Sequence, residues 1–499
     1  MCSLVFGSWR SLEIIAPATG YADSVYSRFY WAYFGIEYKV PIIAKGGLYQ
    51  FKYSLLSNPA GAAIDSTSGV VTWTPSDSSG NPYHISVQVA DSGDVNKDTV
   101  SWTISVTKRT IKFIFVATTG SNSNSGTITS PKLNLSGTTG HPKKFVYLRN
   151  GTYDLTGLTL GLTGQQQERV AWSPGAYPCN FLEYPGETVV IDHDIVTNGA
   201  YFNISSYAGT SDQFYHGIKF QDMLNHAMRN YGNRIGYFEC EFINGGPGVD
   251  GENSSYIMWA TTASSEQHSD CWVKLCKTGE GTTWCHYKVY ATNDIVFDSD
   301  TLESTSVVAE GLALKGGPVL GPATVQGCVF DNLEKSALGG NWNPLDSCEI
   351  RYNLFLNNDN TYSGAGDNGD LEANHDNNST NIQIYRNTFT GNVVFRYTGA
   401  ATGPFTLRDN VIVNNNAGYT GKPHVDISNV TDASLVVMSD NLTGYPSDNI
   451  VDANGDLTEA YNEYLYDKGY QWQPAGSTGP IEPPGTGGKK VLNIISITE

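Results

Sequence analysis

The chain has 499 residues, only 16% of them charged, with 49 acidic against 30 basic side chains and a formal net charge of −19. Such an acidic surface, with no Lys/Arg run to interrupt it, excludes nucleic acid as a partner, and no stretch reaches the roughly 20 apolar residues of a membrane-spanning helix. Recurrent Gly, Asn, Ser, Thr and Tyr with few helix formers describe an all-β protein of extracellular or virion-surface type.

Residues 1–34 read as an N-terminal docking segment. Their opening, MCSLVFGSWRSLEIIAPATG, lacks the basic region, apolar run and small-residue cleavage site of a secretory signal peptide. Either a leader has already been removed, or export by another route is expected, such as assembly into a virus particle released by lysis.

From 35 to 108 short alternating strands are separated by Pro and Gly corners, as in EYKVPIIAKGG, YHISVQVADSG and DTVSWTISVTK. This spacing predicts a small β-sandwich. The run PAGAAIDSTSGVVTWTPSDSSGNPYHISVQVADSG resembles the bacterial Ig-like or cadherin-like modules of surface proteins, with their G-x-(I/V)-x-W-x-P signature. The resemblance implies a spacer or docking unit, with Trp73 in its core.

After Thr110 the character changes. IKFIFVATTGSNSNSGTITSPK, KKFVYLRNGTYDLTG and CNFLEYPGETVVIDHD follow one another in the order found at the start of right-handed parallel β-helix proteins of the pectate-lyase type, which they resemble. Downstream, a hexamer recurs with an apolar first position and a large apolar sixth: YHGIKF from 215, YFECEF from 237, FDSDTL from 297, VQGCVF from 325, IRYNLF from 350, IYRNTF from 384 and LRDNVI from 407. A period in the twenties or thirties is that of a solenoid rung. The one gap of about 60 residues has room for about two more coils.

The fourth position is often Asn, Cys or Asp, as at Cys240, Asp300, Cys328, Asn353, Asn387 and Asn410. Stacked rungs place like over like, so this column is expected to bond along the stack and to be structural. The fold class is therefore all-β, an N-terminal Ig-like β-sandwich followed by a right-handed parallel β-helix over 111–473. Residues 474–499 read as a Pro/Gly linker and a terminal strand suited to docking on a neighbouring subunit.

Chemistry could sit in three places. AEGLALKGGPVLGPATVQGCVFDN resembles a coil of polysaccharide lyase family 9, and the match puts Lys315 on the catalytic base and Glu310 on the acidic position before the glycine. It implies β-elimination from a uronate, with Ca²⁺ neutralising the substrate carboxylate. The acidic run that follows in that family is absent, since DNLEKSALGGN stands there, and a calcium site would have to be rebuilt from Asp298, Asp300 and Glu303.

The loop YSGAGDNGDLEANHDNN supplies Asp367, Asp370 and Glu372, a set suited to oxygen ligation of Ca²⁺ or to a pair of glycosidase carboxylates, with His375 and Asp376 close behind. VDGEN, with Asp250 and Glu252, is a weaker version. The aromatics Trp259, Trp272, Trp284, Trp342 and Tyr362, with Tyr256 and Tyr287, fall between the hexamers. They are expected on loops, where flat rings stack on sugars or simply cover backbone. Eight cysteines form no disulfide framework in a chain of this length. Cys271, Cys276, Cys285 and His286 lack the spacing of a zinc site and read as buried small side chains.

Three functions stay open. The first is a phage-tailspike-like virion protein or surface adhesin that recognises a bacterial surface polysaccharide, with depolymerase activity in some forms and a homotrimeric assembly by analogy. The second is a polysaccharide lyase or glycoside hydrolase. The third is a purely structural capsid or surface-layer component.

Overall fold

The computed structural model describes residues 10–443 except 18–26, 77–79, 111, 142–143, 156–179, 194–201, 205–212, 224–225, 231–232, 247–253, 260–268, 282–283, 291–293, 305–309, 315–321, 334–335, 341–346, 357, 359–368, 376–380, 398–402, 413–423, 431 and 440. Two bodies are built almost wholly of strands.

The first is the sandwich. A four-stranded sheet runs in the order Trp31–Tyr33, Lys97–Thr107, Tyr83–Ala90, Lys52–Ser57, and a three-stranded sheet in the order Tyr38–Pro41, Val70–Trp73, Ala63–Ile64. Alternation explains which residues meet inside. On the Tyr83–Ala90 strand Ile85, Val87 and Val89 lie at 1% exposure or less, while the polar His84, Ser86 and Gln88 between them keep contact with solvent. Trp73 is buried, donates from Nε1 to the Ala60 carbonyl at 3.2 Å and meets the Tyr83 ring edge-on at 4.9 Å. The segment before residue 35 does not stand apart. Glu13–Ala16 pairs antiparallel with Ile43–Lys45, and Trp31–Tyr33 pairs in parallel with Ser105–Thr107.

The second body is a parallel β-helix. Its three sheets have 12, 11 and 9 strands among the described residues, and in each sheet every strand pairs in parallel with its counterpart in the next rung. One rung runs, for example, through Ile295–Asp298 of the first sheet, Thr301–Glu303 of the second and Glu310–Leu314 of the third.

The hexamer spans the tight corner between first and second sheets. Its first and sixth residues point inward and stack on their equivalents: Tyr215 on Tyr237 at 4.9 Å, Phe220 on Phe242 at 5.1 Å, Phe330 on Phe355 at 4.7 Å and Phe355 on Phe389 at 4.6 Å. These distances match the spacing of neighbouring strands. The third position is left-handed in every copy, at Gly217, Glu239, Ser299, Gly327, Tyr352, Arg386 and Asp409. Only two of these are glycine, so most rungs accept a backbone cost of about 1–2 kcal/mol to make the corner.

The fourth-position column offsets that cost. Backbone N–H groups donate to the next rung's side chain from Cys240 to Cys276 Sγ, Cys276 to Asp300 Oδ1, Cys328 to Asn353 Oδ1, Asn353 to Asn387 Oδ1, Asn387 to Asn410 Oδ1 and Asn410 to Asn441 Oδ1. The structural reading of this column holds. The long gap, however, contains one further rung, not two. Its corner reads VKLCKT from 273, with Leu275 left-handed and Cys276 in the column. Thr278 replaces the large sixth residue and donates or accepts at His286 Nδ1 at 2.6 Å, which hid the repeat.

The sandwich lies along the outer face of the first sheet, so it is not a spacer held off the helix. Both faces of that sheet are therefore covered. Phe113, Phe115, Phe145, Tyr147, Phe214, Phe238 and Trp272 pack outward into one apolar cluster with the sandwich core. Ile42–Gly47 runs across the rungs: Lys274 Nζ reaches the Ile42 carbonyl at 3.3 Å, Gln326 Nε2 the Ala44 carbonyl at 2.9 Å, and Arg351 the Gly46 and Gly47 carbonyls at 2.9 and 2.7 Å. Lys39 bonds Glu239, and Lys45 bonds Asp294.

Candidate functional site on the third sheet

The third sheet is where the sequence-predicted acids meet. Its strands Cys285–Val289, Glu310–Leu314, Leu338–Gly340 and Leu371–His375 are neighbours, with Lys288, Ala313, Gly339 and Glu372 in successive register. Leu312, Leu338 and Leu371 fill the interior, so the alternate positions turn outward.

On that outer face the Glu310 carboxylate reaches the next rung, where Oε2 lies 4.0 Å from the position a Cβ on Gly339 would take. The Ser336 Cβ lies at the same distance from that position, and Ser336 Oγ donates to Glu372 Oε2 at 2.9 Å. Two carboxyl groups thus come from the rungs on either side of Gly339, with the Ser336 side chain beside the glycine and bonded to Glu372. Glu310 and Glu372 are half-buried and Ser336 is buried. Lys288, 4% exposed, adds an ammonium to the same face, held 5.0 Å over the Tyr290 ring. Lys288 and Ser336 escape a sequence reading because third-sheet strands carry no shared motif.

Other expectations divide. Lys315 follows directly on the Glu310–Leu314 strand and, with Trp342, Tyr362, Asp367, Asp376, Asp250 and Glu252, lies outside the described residues. Asp370 is enclosed, accepting from Asn358 Nδ2 at 3.0 Å and the Gly391 N–H at 2.5 Å, while Glu372 faces outward. These two acids therefore do not share a ligand shell.

The rebuilt calcium set also diverges. Asp298 faces the sandwich and pairs with Lys274, Asp300 sits in the inner column, and Glu303 lies outside on the second sheet. Burial drives the Asp300 carboxyl well above its usual range, and burial followed by Asp331 raises that of Glu303. Among the described residues no three His, Cys, Asp or Glu side chains converge on a metal position.

Of the aromatics, Trp259 is fully enclosed in the helix core, edge-on to Tyr237 at 6.1 Å and Phe297 at 5.8 Å, and offers no face to a sugar. Tyr256 and Tyr287 are enclosed beside it. Trp272 faces out from the first sheet but is covered by the sandwich, 5.7 Å from Phe214. All four stand on strands, not loops: Tyr256, Trp259 and Tyr287 on the third sheet, whose strands lie between the hexamers, and Trp272 on the first-sheet strand of the rung that the hexamer pattern missed. Trp284 is half-buried at the entry to the Cys285–Val289 strand, its backbone N–H donating to Ser254 Oγ at 3.2 Å. Cys271, Cys276 and Cys285 are buried and form no disulfide, and burial pushes His286 down to about 3.

Comparison with known proteins supports the Ig-like reading of the N-terminal unit. The family described as "Putative Ig domain" matches residues 32–107. No curated protein matches the chain. Two solved structures are similar at low identity: a rhamnogalacturonan lyase, 13% identical with a TM-score of 0.40, covering 72% of this chain and 99% of its own, and the pectate lyase Pel9A, 14% identical with a TM-score of 0.25, covering 58% and 77%. The chain is an Ig-like domain joined to a long parallel β-helix.

Proposed function

We propose that this protein binds and cleaves a polysaccharide along the outer face of the third sheet, with Glu310 and Glu372 as the working carboxyl groups. The observation that carries the reading is their placement on either side of Gly339, one of them oriented by Ser336. In glycoside hydrolysis one carboxylic acid protonates the departing oxygen while a second carboxylate activates water or attacks the sugar. A flat parallel sheet presents such groups along a line, which suits an extended chain substrate. Display on a virion or cell surface, where bacterial surface polysaccharide is the natural partner, belongs to the same proposal and is supported by the acidic, lysine-poor composition.

The test is incubation of the full chain with a panel of neutral and acidic polysaccharides, with and without Ca²⁺. New reducing ends without ultraviolet absorbance of unsaturated uronates identify a hydrolase. Absorbance of unsaturated uronates identifies elimination and turns attention to Lys315. Binding without cleavage leaves an adhesin. The reading is lost if no glycan is bound or cut, or if Glu310→Gln and Glu372→Gln together leave cleavage unchanged.

A further inference from the structure

A cavity of about 30 Å³ lies in the seam between the N-terminal unit and the helix, lined among others by Ser27, Arg28 and Phe29 on one side and Gln213, Arg234 and Trp272 on the other. Two of its walls are donors that the protein does not satisfy. Arg28 is 2% exposed, and its guanidinium donates to the Trp31 carbonyl and, at 3.3 Å, to the Tyr147 hydroxyl, while lying 4.7 Å over the Tyr38 ring. Its Nε has no acceptor. Gln213, also 2% exposed, accepts at Oε1 from the Tyr215 hydroxyl at 3.3 Å, and its Nε2 has no acceptor either.

The charge balance points the same way. None of Arg28's hydrogen-bond partners is an acid, and a buried guanidinium without a counter-charge is costly. Asp270 lines the same cavity, but Lys45 and Arg234 are its own cationic neighbours. The lining residues thus include a buried cation and a buried amide, each with a donor that lacks an acceptor, which suits one acceptor that carries negative charge. A volume of this size admits one or two water-sized species and no sugar or phosphate ester.

We propose that the cavity binds a single small anion, a halide such as chloride, held between Arg28 Nε and Gln213 Nε2 and locking the N-terminal unit onto the helix.

The test uses the full chain. Crystals grown or soaked in about 0.2 M bromide should show one anomalous peak within hydrogen-bonding distance of both nitrogen atoms, and the melting temperature should rise by about 2–4 °C between a chloride-free gluconate buffer and chloride at the same ionic strength. Gln213→Glu supplies the counter-charge from the protein itself, so this variant should fold, lose the anomalous peak and melt at the same temperature in both buffers. No bromide peak at the seam, or a halide dependence undiminished in Gln213→Glu, overturns the proposal.

Discussion

Lys274 and Asp298 face each other across adjacent rungs of the first sheet, Nζ to Oδ2 at 2.6 Å, and each side chain is 2% exposed. The pair is closed from outside by the sandwich: Tyr49 donates its hydroxyl to Asp298 Oδ1 at 3.0 Å, and the Ile42 carbonyl caps the ammonium. Burial pulls the Lys274 ammonium down, but Asp298 and Tyr53 outweigh it and hold its pKa above the ordinary value.

Removing one partner leaves a buried charge unpaired. Lys274→Met is expected to cost about 3–5 kcal/mol in denaturant unfolding, and Lys274→Met with Asp298→Leu much less than the two single changes together. Because the folded pKa of Lys274 is the higher one, its contribution is fully present below the ordinary lysine pKa and is lost as pH rises through the folded value. A double-variant loss equal to the sum of the two single losses would show that the pair does not hold the seam.

Gly327 is the corner residue on which Tyr49 rests. Its φ is +64°, and a Cβ there would lie 2.2 Å from the Tyr49 hydroxyl. Gly327→Ala should destabilise by about 1–2 kcal/mol from backbone strain alone, and should push Tyr49 off Asp298. Hydrogen exchange should quicken in residues 42–49 while the inner column stays protected. Unchanged exchange in 42–49 would count against this contact as a seam fastener.

Asn387 occupies the centre of the asparagine column. It accepts from the Asn353 backbone and side chain, each at 3.0 Å, and donates to the Ile350 carbonyl at 2.9 Å and to Asn410 Oδ1 at 3.0 Å. Asn387→Ala leaves several buried groups without partners and should lower stability by about 2–4 kcal/mol. Asn387→Ser, which keeps a polar atom, should lose less. A surface control such as Lys97→Ala should stay within about 0.5 kcal/mol.

Glu183 sets a pH dependence at the seam. Its side chain extends over Gly217 toward the cluster of Glu239, His216 and Lys39. Burial, then Glu239, raises its carboxyl to about 7, while burial lowers His216. A carboxyl whose folded pKa exceeds the unfolded one stabilises fully below pH about 4.5 and loses that advantage as pH rises to about 7. Glu183→Gln should therefore be the more stable protein at pH 8 by about 1 kcal/mol, after allowance for solvent screening at this half-buried site, and the difference should vanish near pH 4. Identical pH profiles for the two proteins would refute the assignment.

The corner between first and second sheets was legible because one short segment carries every constraint at once: two inward apolar residues and a column residue at fixed spacing. The third sheet was not. Tyr256 and Ile257, like Ala337 and Leu338, are consecutive inward residues at a bend, which breaks the alternation that marks a strand. Trp259 and Tyr287 thus looked like loop aromatics. The docking of the sandwich was hidden for another reason, since Ile42 and Lys274 or Gly46 and Arg351 are brought together only by the whole fold. One signal was present: IKFIFV and KKFVYL are apolar at both alternating positions, the mark of a sheet covered on both faces. For the candidate site, Glu310 and Glu372 were readable as acids of interest, but their shared glycine was not.

A stack of rungs touching only their neighbours ordinarily frays from its ends, each turn peeling away almost independently. Here the Ile42–Gly47 strap crosses the turns that carry Lys274, Gln326 and Arg351, so no one of them can unwind without tearing a fastening shared with the others. The strap works as a splint, and it converts a zipper that would open tooth by tooth into a beam that yields as a unit.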